Sequence, residues 1–200
     1  KEILEFLVLY TELVRECDVV TLSGSAPPGI DTDIYARLVS IANKAHKKVI
    51  LDSSGDYLVR GIHGSPALVK PNKSEVEQLL GKKLKVPSDI IAAAKELLNM
   101  GTETVAISLG SEGVLVASGS VKKTYWATPP KIQPANTVGC GDAMVAGFAI
   151  GLTKKWPLKE CIRYAVAVST SAALSSVTGG IVTDRVNGIK ENIIFERISF

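Results

Sequence analysis

The sequence has little to offer a metal cage or a disulfide framework. Its three cysteines, Cys17, Cys140 and Cys161, are odd in number and lack metal-ligand spacing, and its two histidines, His46 and His63, stand apart from them and from each other. Unpaired thiols lead us to expect a reducing, cytoplasmic setting. Long apolar runs are also missing, because Lys154 and Lys155 stop the small-residue segment that starts at Ala143, and no signal-peptide pattern occurs; no membrane partner is expected. Charge of one sign is scarce. The net charge is +3, and the lysines are scattered rather than gathered among aromatic residues, which argues against nucleic acid as a partner. Two common nucleotide fingerprints are absent as well. No G-x-x-x-x-G-K-[ST] occurs, and Gly139-x-Gly141 is followed by Met144 where a dinucleotide motif needs its third glycine.

What the sequence does have is apolar content for one core, 46% of 200 residues, laid out as short apolar runs alternating with helical periods. Ile3, Phe6, Leu7, Tyr10, Leu13 and Val14 recur at helical spacing, and Val19-Val20-Thr21-Leu22 follows as a buried strand. Asp31 and Thr32 offer caps to a helix bearing Ile34, Leu38, Ile41 and Ala45, and Val49-Ile50-Leu51 forms the next strand. A short helix over 57–61, a strand over 67–70, helices over 74–80 and 90–99, and a strand over 105–107 continue the alternation. It then changes, as residues 108–113 turn the chain back into a strand over 114–116 and another over 122–125. Helices over 143–152, 157–176 and 184–194 complete the chain, with Pro157 suited to a first turn. Apolar strands separated by helices require an α/β fold whose mainly parallel sheet is covered on both faces. No repeat, linker or second domain interrupts it.

In such sheets ligands bind beyond the carboxyl ends of the strands, and the polar signals gather there. Each has a structural alternative. Asn72 and Glu75 fit a capping box, or Glu75 orders magnesium and its waters. Ser108-Leu109-Gly110-Ser111-Glu112-Gly113 is a hairpin turn, or its glycines let nucleotide phosphates approach the backbone. Lys70 is a solvated charge or a phosphate partner, and Ser25 is by default a turn residue. The segment from Asn136 to Asp142 carries the sharpest signal. Gly139 and Gly141 let backbone N–H groups converge at a helix mouth, where the dipole also favours an anion. Asp142 then either caps a helix beginning at Ala143, or takes the proton of an alcohol attacking a phosphate held by the glycine turn. The residues alone leave both open.

Taken together and in order, Ser23-Gly24-Ser25-Ala26-Pro27-Pro28-Gly29, Asp52-Ser53-Ser54-Gly55, Val69-Lys70-Pro71-Asn72 through Glu75, Ser108-Leu109-Gly110 to Gly113, and Thr137-Val138-Gly139-Cys140-Gly141-Asp142 resemble the ribokinase/phosphofructokinase-B carbohydrate kinases. The resemblance runs nearly end to end and points to the branch containing 1-phosphofructokinase, tagatose-6-phosphate kinase and the minor 6-phosphofructokinase. It implies a three-layer α/β/α ribokinase-like fold. ATP and Mg2+ would serve as cofactors in phosphorylating a hexose phosphate, namely fructose 1-phosphate, fructose 6-phosphate or tagatose 6-phosphate. It further implies that Asp142 is the catalytic base beside the acceptor, with Gly139, Cys140 and Gly141 forming the anion hole. Lys70, Asn72 and the loop Ser108, Leu109, Gly110, Ser111, Glu112, Gly113 would face ATP, Glu75 would order magnesium, and Ser25 would lie near the sugar phosphate.

Cys140 stands where the family more often has Ala, a change that an anion hole built from backbone groups accommodates. Some members bind potassium near loops matching 136–138 and 175–179, but Ser175-Ser176-Val177-Thr178 is no close match, so the resemblance does not extend to potassium. Members also carry an N-terminal segment with sugar-binding residues and a lid that often makes a dimer contact. No such segment is found ahead of Lys1, so residues 1–200 are expected to be the C-terminal, nucleotide-binding portion, with any homodimer formed through a lid outside them. Two alternatives remain at this level: a kinase of another small alcohol such as ribose, a nucleoside or hydroxymethylpyrimidine, and a catalytically inactive nucleotide-binding fragment.

Overall fold

A computed structural model describes residues 2–198. Helix α1 (Glu2–Arg15), strand β1 (Val19–Ser23), helix α2 (Ile34–Lys44), strand β2 (Lys48–Asp52), helix α3 (Gly55–Ile62) and strand β3 (Leu68–Val69) come first. Helices α4 (Lys73–Leu80) and α5 (Pro87–Asn99) lead to strands β4 (Thr104–Ser108), β5 (Val114–Ser118) and β6 (Lys123–Thr128). Helices α6 (Cys140–Thr153), α7 (Leu158–Ala173) and α8 (Thr183–Glu191) precede strand β7 (Ile194–Ile198).

All of these strands join one sheet in chain order, β1 to β7. Strands β1 to β4 pair in parallel, because the helices between them carry the chain back to the starting edge. Between β4 and β5 only residues 109–113 intervene, too few for a crossover, so that pair is antiparallel, as are β5 with β6 and β6 with β7. Two reversals return β6 to the direction of β1 to β4. Only β5 and β7 oppose it, and the sheet is mainly parallel in direction, as expected.

Alternation along the strands makes three layers. Val49 and Leu51 of β2 pack with helices α1 to α5, while Ile50 between them packs with α6 to α8. Strand β4 divides in the same way, Val105 and Ile107 to one side and Ala106 to the other. Each such side chain removed from water contributes on the order of 1.5–3 kcal/mol, so a register slip of one residue would be prohibitive. Helix α1 rests on this core through Val14, with Ile3, Leu7 and Tyr10 against it, yet it also exposes Leu4, Val8, Leu9 and Leu13 on its outer side. No helix among the described residues is long and apolar enough to cross a membrane.

Several boundaries differ from expectation, and four have a clear physical reason. Helix α6 starts at Cys140 rather than Ala143, because Gly139 in the left-handed region turns the chain into the helix earlier. Pro157 is the residue before α7, with an extended ψ of 145°, instead of lying inside its first turn. The residue before α2 is Asp33, and neither Asp31 nor Thr32 caps that helix by its side chain. Helix α8 ends at Glu191, and Ile194–Ile198 leaves it to pair with β6, whose edge is otherwise unfilled.

Helices α6 and α7 approach closely because glycines line their contact. A Cβ on Gly147 would lie 2.5 Å from the Ala165 Cα, and one on Gly151 would lie 2.7 Å from the Cys161 Sγ. Gly147→Ala is therefore expected to lower stability by about 1–3 kcal/mol in urea unfolding, through parting of the helix backbones. An unchanged midpoint and slope would show that the two helices can separate without cost.

Candidate active site

The carboxyl ends of β1 to β4 are tied together in pairs. After β1 the chain turns at Gly24, φ 82°, whose N–H donates to the Asp52 carbonyl at 2.9 Å. Ser53 Oγ returns a hydrogen bond to the Gly24 carbonyl at 2.7 Å, which locks the loops after β1 and β2 to each other. Ser25 follows with its side chain exposed, on this same edge. After β3 and β4 the lock is a parallel bridge between Asn72 and Ser108, with the Ser108 N–H donating to the Pro71 carbonyl at 3.0 Å.

Lys70 is the unusual group here. It is only 4% exposed, although it lies at the end of a strand, and its Nζ stands 3.1 Å from Asp52 Oδ1. Burial pushes the Asp52 carboxyl above its ordinary value, the Lys70 charge and hydrogen bond pull it back, and the negative charge of Asp142 adds to the upward push. The ammonium reaches α6 as well, since a Cβ on Gly141 would lie 3.5 Å from Lys70 Nζ. The sequence reading anticipated Lys70 but assigned no role to Asp52. The available signal was a lone acidic residue closing an apolar strand beside a second strand that ends in lysine.

Around the mouth of α6 the backbone is held in a fixed turn. Asn136 Oδ1 accepts from the Val138 N–H at 2.9 Å, and Asn136 Nδ2 donates to Thr178 Oγ1 at 3.0 Å. Gly139 has φ 87°, and a side chain there would crowd the Gly179 N at 3.1 Å. The Cys140 N–H donates to the Thr137 carbonyl and the Ala143 N–H to the Gly139 carbonyl. The amides of Gly141 and Asp142, between them, have no acceptor among the described residues. They are open donors at the positive end of a helix dipole.

Asp142 does not cap this helix. Gly139 occupies the cap position, no side chain makes a cap hydrogen bond, and the exposed Asp142 carboxylate lies in the first turn with no hydrogen-bond partner among the described residues. The capping alternative is thereby overturned. Cys140 is half buried, and burial pushes its thiol above the ordinary value, so it stays protonated at neutral pH and leaves the chemistry to the backbone. Ser169 Oγ donates to the Cys140 carbonyl at 2.9 Å and pins this first turn to α7.

Asn72 and Glu75 form the complete capping box: Asn72 Oδ1 accepts from the Glu75 N–H at 2.9 Å, and Glu75 Oε2 accepts from the Asn72 N–H at 2.8 Å. This occupies one Glu75 oxygen and leaves Oε1 for other partners. No cluster of three or more His, Cys, Asp or Glu able to hold a metal occurs among the described residues. Mg2+ keeps most of its waters and takes one or two carboxylates besides phosphate oxygens, and Glu75 Oε1 fits that limited demand.

Residues 108–113 do form the hairpin turn, with a short 3-10 stretch over Gly110–Glu112 and the Leu109 N–H donating to the Gly113 carbonyl at 2.8 Å. Gly113 is imposed by packing, since a Cβ would stand 2.0 Å from the Ala127 carbonyl oxygen. Ser111 and Glu112 are exposed, and the Glu112 carbonyl accepts from Trp126 Nε1 at 3.0 Å. Concavities of about 370 and 350 Å3 lie on helical surfaces, one beside Arg163 and Lys190 and one beside Leu7 and Ile41. Neither coincides with the strand ends. The site is distinguished by its chemistry: a buried cation, open amides and a free carboxylate on one edge can hold an anion and accept a proton.

Known proteins resemble this chain in sequence and in fold. The sequence pattern of the pfkB family carbohydrate kinases matches residues 5–184. The 1-phosphofructokinase of Escherichia coli (strain K12) is 38% identical over 168 residues, covering 84% of this chain and 53% of that protein. The 1-phosphofructokinase of Vibrio cholerae is 34% identical over 183 residues, covering 90% of this chain and 56% of that protein. The crystal structure of phosphofructokinase-2 from Escherichia coli in complex with potassium superposes with a TM-score of 0.83 at 33% identity, covering 90% of this chain and 60% of that one. The chain thus spans about half the length of the curated relatives it matches. By sequence, by fold and by the order of its strand-end loops, the chain belongs to the pfkB family of carbohydrate kinases.

Proposed function

We propose that the chain is the nucleotide- and phosphoryl-binding portion of an ATP-dependent kinase of a hexose phosphate, working in the cytoplasm. The observation that carries this reading is the free Asp142 carboxylate in the same helical turn as two open amides, with the buried Lys70 ammonium alongside. The preference for a sugar phosphate is supported by relatives that are 1-phosphofructokinases. Fructose 1-phosphate, fructose 6-phosphate and tagatose 6-phosphate are the candidate acceptors.

The residues divide the work as follows. An acceptor hydroxyl beside Asp142 attacks the terminal phosphorus of ATP. Its oxygen forms the new P–O bond as the bond to the ADP oxygen breaks, and the hydroxyl proton passes to the Asp142 carboxylate. Such a transition state is loose and the proton leaves late, so an ordinary ionised Asp is a sufficient base. The turn of Gly139, Cys140 and Gly141 aims the open Gly141 and Asp142 amides at the moving phosphoryl, and the dipole of α6 adds to their field without reorganisation. Lys70 supplies a full charge at the same place. Asn72 and the hairpin from Ser108 through Gly113 face the nucleotide, and Ser25 lies toward the sugar phosphate. Mg2+, when bound, neutralises phosphate charge; Glu75 would hold it or its waters. A homodimer formed through a lid outside these residues belongs to the same proposal.

The intact chain, assayed with MgATP against the three sugar phosphates and against uncharged fructose and ribose, is expected to prefer a phosphorylated acceptor. Preference for an uncharged one would replace the hexose-phosphate assignment, and MgATP binding without any turnover would identify an inactive nucleotide-binding module. Asp142→Ala is expected to lower kcat by about 10²–10⁴ while calorimetry finds the ATP affinity within about threefold. Near-normal turnover would remove Asp142 from the role of base. Cys140→Ala should leave kcat within about twofold, because the open donors are the Gly141 and Asp142 amides and not the thiol; a hundredfold loss would contradict this.

A further inference from the structure

We propose that Asp52 is a positioning residue that holds the Lys70 ammonium against the first turn of α6, so that a fixed positive charge waits where the terminal phosphoryl of a nucleotide binds. This rests on the reading of that turn as a phosphoryl site. The geometry begins in the sheet. Register pairs Ile50 with Leu68 and Leu51 with Val69, so Asp52 and Lys70 are the next rung of the same ladder. Alternation places both on the face of Ile50 and Leu68, which is the face covered by α6 to α8. The two side chains are therefore delivered under α6 by strand geometry alone, and they meet at 3.1 Å with 5% and 16% of their surfaces exposed.

Stability does not account for such a pair. Two desolvated charges gain little over apolar side chains of similar size, and every neighbouring rung of β2 and β3 is apolar. Gly141 supplies the second observation. Its backbone is not among the positive-φ glycines, so its conformation leaves other residues admissible, and what glycine provides there is open space beside Lys70 Nζ. A phosphoryl oxygen placed in that space would meet the ammonium and the Gly141 and Asp142 amides together. Asp52 makes this possible by holding the buried ammonium at 3.1 Å, aimed toward α6. Without the carboxylate, the buried ammonium loses the partner that fixes its rotamer, and the cation is no longer held at the site.

The test uses the intact chain and its variants Asp52→Asn, Lys70→Met and the double variant, titrated with MgATP and with AMP and unfolded in urea. Each single variant is expected to weaken MgATP binding by about tenfold or more while AMP affinity stays within about twofold, since AMP lacks the terminal phosphates. The double variant should bind MgATP no worse than Lys70→Met alone, and should regain the stability lost by Asp52→Asn without regaining affinity. The proposal is overturned if Asp52→Asn binds MgATP as well as or better than wild type, if MgATP and AMP weaken in parallel, or if the two losses add. Should Asp52→Asn fail to fold, wild-type MgATP affinity in the double variant overturns it equally. A wild-type chain that binds no MgATP instead removes the phosphoryl-site reading, and this inference with it.

Discussion

Helix α6 can present its amino end to the sheet edge only because glycine replaces side chains at its two critical contacts. Along its length, Gly147 and Gly151 let its backbone touch α7. At its start, Gly139 takes a left-handed conformation beside Gly179, so the chain enters the helix with its first amides still open. Bulkier residues at these points would push α6 outward, and the open amides would no longer lie over Lys70. The site therefore depends on packing well away from the reacting atoms.

Electrostatics at this edge are arranged before any ligand arrives. A polar group taken from water must be paired, and the buried Lys70 is paired with Asp52. The amides of Gly141 and Asp142 have no acceptor among the described residues and stand at the exposed start of α6. Asp142, in the same turn, stays exposed and free. Asp52 lies deeper, and burial pushes its carboxyl above the ordinary value.

The loops after successive strands also constrain one another, which holds their polar residues in fixed relation on one edge of the sheet. Gly24 is fastened to Asp52, and Asn72 to Ser108, so the four loops behave as two rigid pairs. The capping box shows how a structural and a functional reading coexist. Asn72 and Glu75 do cap α4, yet that requires only one Glu75 oxygen. The hairpin 108–113 likewise closes β4 onto β5 and leaves Ser111 and Glu112 facing outward.

Much of this was legible in the residues. The alternation of apolar runs with helical periods specified an α/β sandwich, because each pattern buries one face of one kind of element and no other arrangement covers both faces of such strands. Gly139 marked a turn into a helix through local backbone chemistry that needs no distant partner, and the structure leaves the Gly141 and Asp142 amides open there. The sequence could not say whether Asp142 caps its helix, since that depended on where α6 begins, and Gly139 begins it one turn early. Strand β7 was hidden too, because residues 194–198 gain their partner only from β6, far back in the chain. The pairing of Asp52 with Lys70 was likewise decided by tertiary structure: local pattern places each at a strand end, but only the register between β2 and β3 brings their charges together beneath α6.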